Sequence, residues 1–179
     1  MTRNTFLIGA VLICGGLVAV AAVGCSDDTP LSPDQQALAA LRQTVAPFRD
    51  LHAAQQAGYQ TVVTDPTNGK SCLSDPTMGA MGVHYLNTDN VDDAVVPTKP
   101  EVTIYEPQQD GSFKFVGVEF IIPYSIRGEN ETPPVLFGQQ FQHNPTFQLW
   151  MLHVWVGRDN PAGLFATWNP DVTCQFGAN

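Results

Sequence analysis

Apolar residues occupy nearly every position of residues 147–156, FQLWMLHVWV, and they fill both alternating sets. Phe147, Leu149, Met151, His153 and Trp155 point to one side of an extended chain, and Gln148, Trp150, Leu152, Val154 and Val156 to the other. A strand apolar on both faces is an interior strand with material packed on each side. Residues 112–122 predict a second long strand, with Phe113, Phe115, Glu119 and Ile121 on one face and Val116, Val118, Phe120 and Ile122 on the other. Shorter strands are predicted over 59–64, 83–86 and 102–106. Before them the period changes. Leu38, Leu41, Val45, Phe48 and Leu51 recur at helical spacing. Ser32-Pro33-Asp34-Gln35 supplies a cap, a proline at the first helical position, an acid at the positive end of the dipole and a capping-box partner. Pro47 should kink or split this helix, and Gly58 should end it. His52 falls among Ala53, Ala54 and Gln55 on the solvent side.

Between these elements lie turn-rich connections at 65–78 and 88–100. Residues 123–145 form a longer excursion, of the kind that often serves as a lid or binding loop. Residues 137–141 predict a local turn within it. Residues 162–167 predict a short helix that Trp168-Asn169-Pro170 breaks. The expected class is α+β: an N-terminal helical segment packed on an antiparallel sheet of about five or six strands, barrel-like in its curl.

The first 24 residues read as a leader, with Arg3 before an apolar run over 6–23. Ala22-Val23-Gly24-Cys25 followed by Ser26-Asp27-Asp28 resembles the lipobox of bacterial lipoproteins, with Ala22 in place of the usual Leu. On that resemblance Cys25 is the lipidated first residue of the mature protein. Residues 25–31 form a tether, and 32–179 a single globular domain at the membrane surface of the cell envelope. The alternatives are an ordinary secretory signal or an uncleaved anchor. The chain carries a net charge of −9, and loss of Arg3 with the leader makes the remainder more acidic still. That excludes nucleic acid and acidic lipid headgroups as partners drawn by charge. Charged residues are 14% and hydrophobic ones 44%, a folded rather than disordered composition. Outside the leader and Cys25 only Cys72 and Cys174 remain. In an exported chain the simplest reading is a structural disulfide between them, and no CxxC suggests redox activity.

The segments MGAMGVHYLN (78–87), FVGVEFIIP (115–123) and LHVWVGRDNPAGLFATWNPDVTC (152–174) resemble a family of uncharacterised secreted bacterial proteins, some of them lipoproteins. The resemblance spans roughly residues 44–174. It implies an exported single-domain protein and brings no activity with it.

Three polar residues interrupt the apolar strands: His84, Glu119 and His153. Two imidazoles and one carboxylate are a ligand set for zinc with an open position, for iron, or for copper. Asn87, Tyr85, Tyr105 or Glu101 would orient them from outside, and His143 on the long excursion would add a ligand or close over the site. The spacing matches no HExxH or other short metal motif, and neither a GxSxG elbow nor a phosphate-binding glycine loop is present. Two bland readings stand beside the metal. In one, Glu119 and His153 form a buried polar pair that holds the core together. In the other, a non-enzymatic lipoprotein binds an organic ligand in a pocket under residues 123–145 lined by Trp and Phe.

Overall fold

In the computed structural model, which describes residues 30–177, the capping box at Ser32 opens helix α1, Pro33–Thr44. The Gln35 amide donates to Ser32 Oγ at 3.3 Å, and the Ser32 amide donates to Gln35 Oε1 at 2.8 Å. Pro47 splits the helical segment as expected. A 3-10 turn spans Ala46–Arg49, and α2, Leu51–Gln56, starts beyond it. Gly58, at φ +100°, ends the segment. Leu41, Val45 and Ala54 are buried, whereas His52 is exposed. The leader, Cys25 and the tether as far as residue 29 lie outside the described residues. Among the described residues no helix is long and apolar enough to cross a membrane.

The strands are β1 Thr61–Val62, β2 Cys72–Asp75, β3 Gly79–Leu86, β4 Val102–Pro107, β5 Phe113–Pro123, β6 Val135–Leu136, β7 Gln139–Gln140, β8 Gln142–Asn144 and β9 Leu149–Val154. Seven of them form one antiparallel sheet in the order β1-β3-β4-β5-β9-β8, with β2 also paired to β3. The sheet is open, so the expected α+β class holds while no barrel closes. The stretch FQLWMLHVWV supplies the interior strand β9, between β5 and β8. Its two apolar sets divide as expected. Trp150, Leu152 and Val154 enter the core shared with Leu41, Val45 and Ala54, and Met151 and Trp155 enter a smaller core on the other face.

Five expectations change. Residues 65–78 are not all loop, because β2 pairs with β3 there. Strand β3 begins four residues before Val83, at Gly79, because Gly82 adopts φ +103° and lets a β-bulge pass through the pairing with β2. The two faces of β5 do not alternate strictly. Tyr105 pairs with Phe115 but Ile104 with Gly117, so the extra residue, Val116, shifts the pattern. Phe115 therefore joins Val118 and Phe120 in the larger core, and Val116 joins Ile121 in the smaller one. Residues 162–167 form turns instead of a helix. Gly163 sits at φ +119°, and the carbonyls of Leu164 and Ala166 are taken by Trp155 N and Nε1, at 3.0 and 2.6 Å.

The long excursion is not structureless either. It folds into the β6–β7 hairpin and edge strand β8, and it buries Leu136, Phe137 and Phe141 in the larger core. Cys72 and Cys174 are joined, with an S–S distance of 2.02 Å, and the bridge ties the end of the chain to β2.

Candidate metal centre

The smaller core is where the three anomalous polar residues meet. Glu119 on β5 lies directly opposite His153 on β9, and Val102 separates it from β3. His84 lies on β3 opposite Ile104. Three strand spacings of about 4.8 Å would put β3 and β9 about 14 Å apart in a flat sheet. Yet His84 Nε2 and His153 Nε2 are 3.4 Å apart. The sheet therefore curls around this face and brings the side chains inward. His84 Nε2 is 3.8 Å from Glu119 Oε2, and His153 Nδ1 is 3.5 Å from Glu119 Oε1. One ligand atom from each residue lies within 4.8 Å of the other two, and all three residues are buried. This group could hold a metal ion.

The orientation of His84 is set from behind. Its Nδ1 is 3.2 Å from the carbonyl oxygen of Gly82, which can only accept, so Nδ1 carries the proton and Nε2 presents its lone pair to the centre. The bulge at Gly82 is what aims that carbonyl. A Cβ at Gly82 would stand 2.6 Å from the backbone oxygen of Tyr105, so only glycine fits. The His153 ring lies nearly parallel to that of Trp155, at 17° and 6.1 Å between centroids.

With no ion bound, burial decides the charges. It drives the His84 imidazolium down to about 4 and that of His153 well below its ordinary value, the latter with help from His84. It pushes the Glu119 carboxyl up to about 8, assisted by the neighbouring Glu101 carboxylate. All three groups are then neutral near pH 7. One proton arrangement suits every contact. Glu119 faces His153 Nδ1 with its hydroxyl, His153 Nε2 donates to His84 Nε2, and His84 Nδ1 donates to Gly82. A dication would take the place of the central proton and restore the carboxylate.

The spacing fits such an ion. Two imidazole nitrogens bound to one tetrahedral zinc at about 2.05 Å stand about 3.3 Å apart. The observed 3.4 Å between the two Nε2 atoms matches this, and Glu119 Oε2 stands 3.8 Å from His84 Nε2. Three protein ligands leave at least one position open for water or another small ligand.

A cavity of about 40 Å³ adjoins two of the three residues, His84 and Glu119, and is lined also by Met81, Val102, Ile121, Phe147 and Leu149 among others. Larger hollows lie elsewhere. One of about 280 Å³ beside the disulfide includes Lys70, Asp75 and Thr173, and one of about 430 Å³ includes Met78 and Trp168. Neither touches the three residues, and neither gathers a set of ligating groups. Chemistry, not size, picks out the smaller space.

Of the expected outer partners, four lie elsewhere. Tyr85, the residue after His84, projects to the opposite face and packs against Tyr105 and Phe113. Tyr105 donates its hydroxyl to the Phe48 carbonyl at 2.8 Å, on that same helix-facing side. Asn87 also serves the helical side, donating to the Ala57 carbonyl at 3.0 Å and accepting from Asp89 N at 3.1 Å. Alternation along β3 is the reason: His84 and Leu86 take one face, and their neighbours the other. His143 is exposed on β8, opposite Trp150, and is held by the Tyr124 hydroxyl and the Glu129 carbonyl, both at 2.8 Å. Glu101 is the member of that set that does bear on the site. Its Oε2 accepts from Ile121 N at 2.9 Å, where β5 has run past the end of β4, and its charge acts on Glu119. Gly82 and Trp155 are the orienting residues that strand pattern alone did not single out. A glycine pair just before a strand was the available signal of a bulge. No protein-family model, no curated protein and no solved structure matches this chain.

Proposed function

We propose that this chain is an exported cell-envelope protein, lipid-anchored at Cys25, that carries one transition-metal ion on His84, Glu119 and His153. The ion is of the zinc, iron or copper class. The observation that carries the metal reading is the convergence of three ligating groups on one buried point, with the lone pair of His84 aimed there by the Gly82 carbonyl. Buried histidines and a buried carboxyl are otherwise a cost to the fold, and a metal gives them a use. Export is supported by the leader pattern, by the resemblance to secreted bacterial proteins, and by a disulfide that closes a separation of 102 residues.

The decisive experiment is metal analysis of the purified chain, untagged and with its disulfide formed, beside His84→Ala and His153→Ala. Near-stoichiometric zinc, iron or copper in the parent chain, lost in both variants, is the expected result. No metal after reloading with each ion would end the metal reading. Radiolabelled palmitate incorporation that Cys25→Ser abolishes is the matching test of the anchor.

A second reading is favoured by one observation. The neutral proton arrangement satisfies the triad without an ion, so Glu119 and His153 also suit a metal-free polar pair that holds the curled sheet together. Metal analysis separates the two readings.

A further inference from the structure

The space in front of the triad limits what an ion there could meet. A water-sized atom needs about 10–15 Å³ of such space, so a cavity of about 40 Å³ takes about three. An organic substrate of ordinary size needs a pocket of about 300 Å³ or more. A second hollow, of about 190 Å³, shares Leu73, Met81, Asn144 and Phe147 with the inner one and reaches out to Asp65, Thr146 and Trp168. The two spaces adjoin across these four shared side chains, three of them apolar. Asn144 is the polar one of the four, and it is already committed. Its amide donates to Met151 Sδ at 3.2 Å, and its carbonyl accepts from Phe147 N at 3.2 Å. Among the described residues no cationic side chain lines either space to draw an anion inward, and an anion would shed its water there without replacement.

We propose that Leu73, Met81 and Phe147, the apolar side chains between the two spaces, form a throat that restricts the metal's open position to uncharged molecules of two or three heavy atoms, the class of dioxygen and nitric oxide. The inference rests on the metal reading and adds to it the class of ligand.

Two probes test it on the full chain in detergent. The first is nitric oxide added anaerobically to the Fe(II)-loaded protein. The second is imidazole, with five heavy atoms, added to the Co(II)-loaded protein. Nitric oxide should give the half-integer electron paramagnetic resonance signal of a ferrous nitrosyl at about one per iron. Imidazole should leave the visible spectrum of the cobalt protein unchanged. Phe147→Ala should admit imidazole, with at least a tenfold gain in apparent affinity, and Met81→Ala serves the same purpose where the first variant fails to fold. A parent chain that binds imidazole as readily as its opened variants overturns the inference, as does a stoichiometric Fe(II) protein that forms no nitrosyl. Both of those outcomes leave the metal reading standing. A chain that takes up neither Fe(II) nor Co(II) overturns this inference, and one that also refuses zinc and copper overturns the metal reading with it.

Discussion

Glu119→Gln should make the metal-free protein more stable while it abolishes metal binding. The amide has the shape of the protonated carboxyl and offers an N–H to His153 Nδ1, where Glu119 offers its hydroxyl. It differs in having no proton to hold. Glu119 is driven from its ordinary 4.5 up to about 8 in the folded state, mainly by burial. A raised carboxyl binds its proton more tightly folded than unfolded. Its contribution to stability is therefore neutral below the unfolded value. It becomes a growing penalty as pH rises from 4.5 to about 8, at about 1.4 kcal/mol per pH unit, and is constant above that. At pH 7 the penalty is about 3 kcal/mol, and the glutamine escapes it.

The assay is urea unfolding of chelator-treated parent and variant at pH 5, 7 and 9, with the disulfide intact. The midpoint should shift upward in the variant, little at pH 5 and most at pH 9, with the slope against denaturant unchanged. Added zinc should raise the midpoint of the parent by mass action and leave the variant where it was. A variant destabilised by 3 kcal/mol or more would refute the reasoning, because that is the response of a buried ion pair losing one partner, at about 3–5 kcal/mol. Glu119 would then be ionised against a charged histidine.

Metal binding to the parent should release about one proton per ion at pH 6–7, since Glu119 must ionise and the histidines are already neutral. Calorimetry in buffers of different ionisation enthalpy measures this, and affinity should rise about tenfold per pH unit up to about 8 and then flatten. Gly82→Ala meets both a positive φ and the Tyr105 carbonyl, so it should destabilise by about 1–3 kcal/mol in thermal unfolding. It should also weaken metal affinity about 10- to 100-fold by releasing His84. Cys72→Ala with Cys174→Ala opens a loop of separation 102 and should cost about 4–5 kcal/mol in denaturant melts at fixed pH. His143→Ala should leave metal content and affinity unchanged, because that ring is held by Tyr124 and Glu129 on β8.

Local rules made much of this protein readable before its structure. Ser32, Pro33 and Gln35 announce a helix start because capping is a matter of neighbouring residues. Pro47 and Gly58 mark its division and its end for the same reason. Alternation in residues 149–154 reveals an interior strand, since side-chain direction follows from position in an extended chain. His84, Glu119 and His153 stood out because a polar group among apolar neighbours needs a partner.

What the sequence could not supply was the relation between strands. The order of β3, β4, β5 and β9, and the curl that carries His84 across to His153, depend on contact between segments as much as 69 residues apart. The bulges at Gly82 and Val116 likewise exist only between two strands, because an extra residue is extra only with respect to its partner. For that reason Tyr85 and Asn87 could be named as partners of the site from their nearness to His84 in the chain, and His143 from its place on the long excursion, while tertiary structure sends them elsewhere. The glycine carbonyl that orients His84 has no side chain by which to be noticed. Residue chemistry proposed the ligands, and only the folding of distant strands against one another decided that the three share a single point.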